Sequence, residues 1–401
     1  MTPPKPIPLE EAQVRLLDTI AKAAAEEAPV TSSDGLYLAA DLVARRTQPA
    51  ADISAMDGYV VLEDDCAGPW TVVGESAAGH PFTGDLQAGE AIRISTGALM
   101  PDPGGAVLLQ ENATRNGNSL SLNGEGKPTT RHIRRKGFDF AEGDLLLEAG
   151  ARMNAARIAL AISGGHSTAS LRTRPKVAIL DSGDELAASP GMVASHQIPA
   201  SNGDMLHAMV APYASEVVRL GPVRDEQAAL VAALEQASDC AFIVTSGGAS
   251  VGDHDLMRPA LEEWGATIDF WRIAMKPGKP LMVARKGEQV VIGLPGNPVS
   301  SYVTTFLFLL PALRRMTGAV APLPKSIALP LEGKLPAIGS RTEFVRARLQ
   351  DGKAAPLREQ DSSALVSLSR ADLLIRRDIG APAAKPGEAV QCYLLQNAGI
   401  A

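Results

Sequence analysis

The spacing of apolar and polar positions changes along the chain. Residues 8–27 carry Val14, Leu17, Ala21 and Ala24 on one helical stripe, which predicts an amphipathic helix. From about residue 47 the pattern turns to short alternating runs broken by Gly and Pro: GYVVL, WTVVG, AIRIST, AVLLQ and NSLSL. Such runs predict a mainly β module reaching residue 144. Residues 152–163 return to helical spacing, with Asn154 as a candidate N-cap.

Beyond residue 175, β-type and helical runs alternate. Strands are predicted at 176–180, 215–221, 240–248, 267–278 and 289–296, and helices at 201–213, 225–237, 255–265 and 297–316. That order predicts a three-layer α/β domain with a mostly parallel sheet covered on both faces. Pro322 and Pro324 read as a linker, and 325–401 is again β-type. The expected fold class is therefore multi-domain α/β plus β.

Composition narrows the function. The chain has 401 residues, of which 45% are apolar and 21% charged, a globular balance. Its net charge of −7 opposes phosphate backbones, and aromatics at 4% are too few for base-stacking platforms. Arg131, Arg134, Arg135 and Lys136 are the one basic run worth noting, and they read as a solvated face or local anion contact. No nucleic-acid partner is expected. Cys66, Cys240 and Cys392 are odd in number and lack metal spacing, which argues against a disulfide framework. Glu10, Glu11, Arg15 and Asp18 stand where a signal peptide would be apolar, and no run is long enough for a membrane span. These features predict a soluble protein of a reducing compartment, the cytoplasm.

Candidate chemistry gathers where the predicted parallel strands end, the edge at which open α/β sheets bind ligands. DSGDEL follows one strand, SGGASVGDHD a second, KPGKP a third and LPGNPVSS a fourth. Glycines admit close approach of backbone N–H groups to an anion. Asn297 and Pro298 read as N-cap and first helical residue, aiming a helix amino end at the same region. Lys276 and Lys279 offer charge to phosphate or another oxyanion, while Asp184, Glu185, Asp253 and Asp255 offer oxygens to Mg²⁺. The chain has neither GxxxxGK[ST] nor a GxGxxG after a strand. In the β module, Asp57, Thr96 and Asp139 stand in polar turns beside strands.

SAMDGYV, ISTGA, GFD with GD after it, SGDEL, SN..ML, SGGASVGDHD, KPGKP and GLPGNPVSS, in this order, resemble the molybdopterin molybdenumtransferases, a family that includes the E domain of gephyrin. The resemblance runs from about residue 9 to the C-terminus. It implies an extended domain built from 1–46 and 145–172, a β-rich inserted domain at 47–144, the α/β domain at 173–320 and a C-terminal β-barrel at 321–401. It also implies a homodimer whose active site is shared, with Asp57, Thr96 and Asp139 of one subunit facing the α/β loops of the other.

The implied reaction inserts molybdenum from molybdate into adenylylated molybdopterin, with Mg²⁺-dependent release of AMP. Catalytic roles fall on Asp57, Thr96, Asp139, Glu185, Asp225 and Asp255, with Glu185 and Asp255 as metal ligands. Substrate binding falls on Ser182, Gly183, Asp184, Ser246, Gly247, Gly248, Ser250, Lys276, Lys279, Pro295, Gly296, Asn297, Pro298, Arg341 and Ser362. A molybdopterin adenylyltransferase and molybdoenzyme maturation factors are implied as partners. Departures from the family pattern are Asp181, an added charge expected to weaken oxyanion affinity, Gly105 in place of an acid, and Ala371-Asp372 in place of Ala-Asn. The first two are the support for an alternative reading, a tungstate-using or otherwise diverged paralogue. A non-catalytic gephyrin-like scaffold is a further alternative.

Overall fold

The computed structural model describes residues 6–247 and 256–395. Its central element is a six-stranded sheet in the order 216–223, 176–182, 242–246, 289–294, 280–286, 267–272. The first four strands are parallel, and Pro280–Lys286 runs antiparallel to both neighbours. That strand is missing from the sequence-based expectation. PLMVARK and QVVIGL are joined by a tight turn whose Gly287 has φ +62°, a conformation that favours glycine. The hairpin keeps 267–272 pointing with the parallel set, so the loop after it opens on the same edge.

Side chains alternate across this sheet as the two-residue period requires. Val177, Ile179, Phe242, Val244, Val290 and Ile292 face one core with the helices Ser201–Val210 and Pro298–Met316. Ala178, Leu180, Ile243 and Val291 face the other, with helices Gln227–Gln236 and Met257–Glu263. The three layers follow from strands that are apolar on both faces.

The N-terminal helix is shorter than expected and buries a different face. It spans Leu9–Asp18 and buries Leu9, Ala12, Gln13 and Leu16, whereas Val14 is exposed. Residues 25–29 form a strand antiparallel to 168–172 instead of continuing the helix. Pairing with a distant segment outweighs the helix propensity of AKAAAEE. The helix packs on the α/β core beside Phe306 and Leu310. There the long helix widens into a π turn at Thr305–Leu309. Pro311 has no N–H to give Leu307 O, and Gln13 Nε2 donates to that carbonyl at 2.9 Å.

Strands 42–43 and 145–147 pair as well, so segments on either side of the β module are joined by pairing. The helix Ala155–Ser163 starts on Asn154, whose side chain accepts the Arg157 N–H at 3.0 Å. The β module holds a mixed six-stranded sheet, ordered 106–109, 58–61, 90–94, 70–76, 119–122, 113–116. In the C-terminal region, 342–350, 373–377, 389–394 and 326–330 form a sheet that 353–356 joins at one edge. A bridge from Leu331 to Ala354 links the far ends around Ala347, Leu373, Ile375 and Cys392.

The strand expected at 267–278 is in fact two. It stops at Arg272, and Met275–Lys276 pairs with Thr342–Glu343 of the C-terminal sheet. The KPGKP loop is thereby tied to that sheet. All three cysteines are unpaired, and burial raises the Cys240 and Cys392 thiols to about 11. Among the described residues no helix is long and apolar enough to cross a membrane.

Candidate active site

A cleft of about 1310 Å³ opens at the carboxyl edge of the parallel strands and is closed on its far side by the C-terminal region. Asp181, Ser182 and Glu185 line it from the first strand end, Ser246 and Gly247 from the next, and Pro295 to Pro298 from the third. The stretch Met275 to Pro280 lines it from the loop after Arg272. Of the residues expected from the sequence, Ser182, Glu185, Ser246, Gly247, Lys276, Lys279, Pro295, Gly296, Asn297, Pro298, Arg341 and Ser362 are brought together here. Gly248, Ser250, Asp253 and Asp255 lie outside the described residues.

Glycine geometry shapes the strand-end wall. Gly183 adopts φ +149°, and a Cβ there would lie 2.5 Å from Glu185 Oε2. Gly278, at φ +98°, would place a Cβ 2.5 Å from Thr304 Oγ1. Both turns therefore depend on the absence of a side chain. Asn202 ties two loops by donating to Ser246 Oγ at 2.9 Å and to Gly296 O at 2.7 Å.

Asn297 takes the N-cap position before Pro298, as expected, but its side chain does not cap. It donates instead to Ser362 Oγ at 3.0 Å across the cleft, and the Val299 N–H donates to Ser362 O at 3.1 Å. The opposite wall, Glu359 to Ser363, is held from beneath by Arg346. That guanidinium is 1% exposed and donates to Glu359 O at 3.1 Å and Asp361 O at 2.9 Å. Gln360 exchanges bonds with the Arg346 backbone in both directions, each at 3.0 Å. Asp361 accepts from the Ser363 hydroxyl at 2.6 Å and N–H at 2.9 Å, which hold its carboxyl below the usual range. Glu359, Gln360 and Asp361 were not expected from the sequence, because only tertiary contacts bring them to the sheet edge.

The cleft's cations differ in availability. Lys276 sits 3.5 Å from Glu343. Lys279 is half-buried and Arg341 exposed, and neither makes an ion pair among the described residues. Both are free to meet an anion.

Acids gather around Glu185. Asp184 Oδ1 accepts the Asp225 N–H at 3.3 Å. Burial, with the charges of Asp184 and Glu185, raises the Asp225 carboxyl. Asp184 and Asp225 are not among the cleft-lining residues. No cluster of three or more metal-type ligands occurs among the described residues. One or two carboxylates that repel each other nonetheless fit Mg²⁺, which takes the rest of its shell from water and phosphate.

In the β module, Asp57 Oδ1 accepts the Thr96 N–H at 2.8 Å, so these two expected residues are joined. Asp139 lies on an exposed turn whose N–H donates to Gln48 O. None of the three lines the cleft of its own chain.

The departures find structural settings. Asp181 does not present a free charge: it is 2% exposed and paired with Arg219 at 2.9 Å. Gly105 lies in the β module, where a Cβ would meet Glu63 Cβ at 2.4 Å, so no side chain fits. Asp372 Oδ2 accepts the Leu349 N–H at 3.0 Å in the C-terminal region.

Sequence families cover the chain in succession. Residues 7–165 match the MoeA N-terminal region (domain I and II), 178–315 a probable molybdopterin binding domain, and 328–395 the MoeA C-terminal region (domain IV). A molybdopterin molybdenumtransferase of Haemophilus influenzae is 36% identical over 286 residues, covering 70% of each chain. One from Bacillus subtilis is 30% identical over 409 residues, covering 98% of this chain and 95% of its own. The chain belongs to the molybdopterin molybdenumtransferase family.

The structure of a molybdopterin biosynthesis moeA protein from Pyrococcus horikoshii agrees, with a TM-score of 0.83 at 26% identity over 97% of this chain and all of that one. Membership makes this chain a transferase of molybdenum cofactor biosynthesis with a multi-domain α/β plus β fold.

Proposed function

We propose that this cleft binds adenylylated molybdopterin together with molybdate, cleaves the phosphoanhydride, releases AMP and delivers molybdenum to the dithiolene. The observation that carries the reading is the meeting of Lys279 and Arg341, neither ion-paired among the described residues, with the glycine-lined ends of parallel strands in one cleft of about 1310 Å³. The volume exceeds the ~300–1,000 Å³ of drug-sized sites and suits a two-part ligand plus an oxyanion. Lys279 and Arg341 hold oxyanion charge, Ser246 to Gly247 and Pro295 to Pro298 shape the pterin-nucleotide path, and Asn297 with Ser362 fixes the two walls.

Glu185 would hold Mg²⁺, with Asp184 and Asp225 beside it. Bound there, Mg²⁺ supplies charge neutralisation at the phosphoanhydride. Two copies of the chain form the working unit, with Asp57, Thr96 and Asp139 of one copy facing the cleft of the other. The layout expected from the sequence, with an extended domain from two segments and a β-barrel at the end, suits such a pair. The strand pairings between residues 25–29 and 168–172 support it. The protein works in the cytoplasm, receives its substrate from a molybdopterin adenylyltransferase and passes its product to molybdoenzyme maturation factors.

AMP release from adenylylated molybdopterin, followed with and without molybdate and Mg²⁺, tests this reading. Release that requires both supports it. Release indifferent to molybdate, or none, defeats it.

A further inference from the structure

Helix Ser201–Val210 begins on Ala200, which offers no capping side chain. Its first turn therefore presents N–H groups without helical partners and the positive end of the helix dipole. The cap comes from another element. Asp181, at the end of strand 176–182, accepts the Gly203 N–H. The same carboxylate lies 2.9 Å from Arg219 Nη2, on the neighbouring strand. Arg219 Nη1 turns outward to the exposed Asp204 at 2.5 Å. A Cβ on Gly203 would sit 2.0 Å from Asp181 Oδ2, so only glycine admits the carboxylate.

A helix amino end with a guanidinium beside it is the arrangement proteins use to bind phosphate and related anions. Here it sits at the cleft, since Asp181 is a lining residue although only 2% exposed. We propose that Asp181 is a built-in anion that fills a second oxyanion position of the cleft and confines free oxyanion to the end formed by Lys279 and Arg341. The inference rests on reading the cleft as an oxyanion and nucleotide site.

Asp181 is thereby a specificity-determining and positioning residue that no reacting atom needs to touch. By capping the helix it also sets Asn202, which spans Ser246 and Gly296. Asp181 shares Arg219 with Asp204, so the two carboxylates keep a net negative charge that turns free oxyanion toward Lys279 and Arg341.

The probe is tungstate, counted per chain by calorimetry and located in crystals of the full chain by anomalous scattering. Wild type is expected to bind one, near Lys279 and Arg341. Asp181→Ser is expected to bind two, the second against Gly203 and Arg219, and Asp181→Ser with Arg219→Gln to return to one. A single tungstate of unchanged affinity in Asp181→Ser, or a second bound elsewhere, overturns the proposal.

Should Asp181→Ser fail to fold, Asp181→Asn keeps the side chain's shape and removes only its charge. It is then expected to bind the first tungstate about threefold tighter or more, and unchanged affinity overturns the proposal. A wild type that binds none beside an Asp181→Ser variant that binds one upholds Asp181 and refutes the Lys279–Arg341 reading. Failure of both to bind refutes the two together.

Discussion

The cleft and the outer loops of the β module carry the same kinds of residue in opposite surroundings. In the cleft, Glu185, Lys279, Arg341 and Ser362 come from distant segments and converge on one volume. In the β module, Asp57 and Thr96 are locked to each other at 2.8 Å and face outward. Exposed Met56 and Leu99 lie close to them in sequence, and exposed Phe138 adjoins Asp139. A polar cluster without a concave partner can bind little on its own, because nothing excludes water from it. The contrast teaches that the β module's candidate residues need a second surface, whereas the cleft already has both of its walls.

The largest expected effect is in the cleft. Lys279→Ala removes a cation that has no ion pair among the described residues and should slow molybdate-dependent AMP release by about 100-fold, with the melting temperature unchanged. An activity loss that tracks unfolding instead would reduce Lys279 to a structural role.

Asp57→Ala in the β module has the next largest effect. It should cost about tenfold to 100-fold in kcat although Asp57 touches no cleft of its own chain. Full activity in the Asp57→Asn variant, which keeps an acceptor for Thr96, would make Asp57 a turn residue only.

A smaller effect is expected beneath the far wall. Arg346→Met releases the carbonyls of Glu359 and Asp361. It should raise KM about tenfold while kcat stays near wild type, as loss of uniform binding does. Steady-state kinetics would show it, and a drop confined to kcat would contradict it.

The smallest effect is a pH dependence of that wall. The folded Asp361 carboxyl lies below its unfolded value of 3.8, so its contribution to stability is present above that value. It is lost as pH falls through the folded value. Acid unfolding of Asp361→Asn should therefore be less steep than that of wild type below about pH 4. Superimposable acid transitions would rule the contribution out.

Much of the strand-end wall was legible in the sequence because sheet geometry places it: a loop after a parallel strand lies at the carboxyl edge wherever its residues fall in the chain. The turns at Gly183 and Gly278 could be read the same way. The far wall was legible only at Arg341 and Ser362. Glu359 to Asp361 reach the cleft through bonds from the buried Arg346, and such side-chain to backbone contacts leave no period in the sequence. The antiparallel strand 280–286 had a signal in its two apolar runs and glycine turn. The helix predicted over 8–27 stops early because residues 25–29 pair with 168–172, a contact that local propensity does not encode. The setting of Asp181 was hidden for the same reason, since its partners Arg219 and Gly203 lie on other elements.

Mixing subunits tests whether each cleft is completed by a second copy of the chain. Asp57→Ala in the β module and Lys279→Ala in the cleft are each expected to keep about a tenth of the wild-type activity or less. If every cleft is completed by its partner's β module, exchanged dimers carry one intact site of the two. AMP release should then return to about a quarter of the wild-type rate at equal mixing. No recovery, with subunit exchange shown independently, would contradict a site shared between two copies and place the whole reaction within one chain.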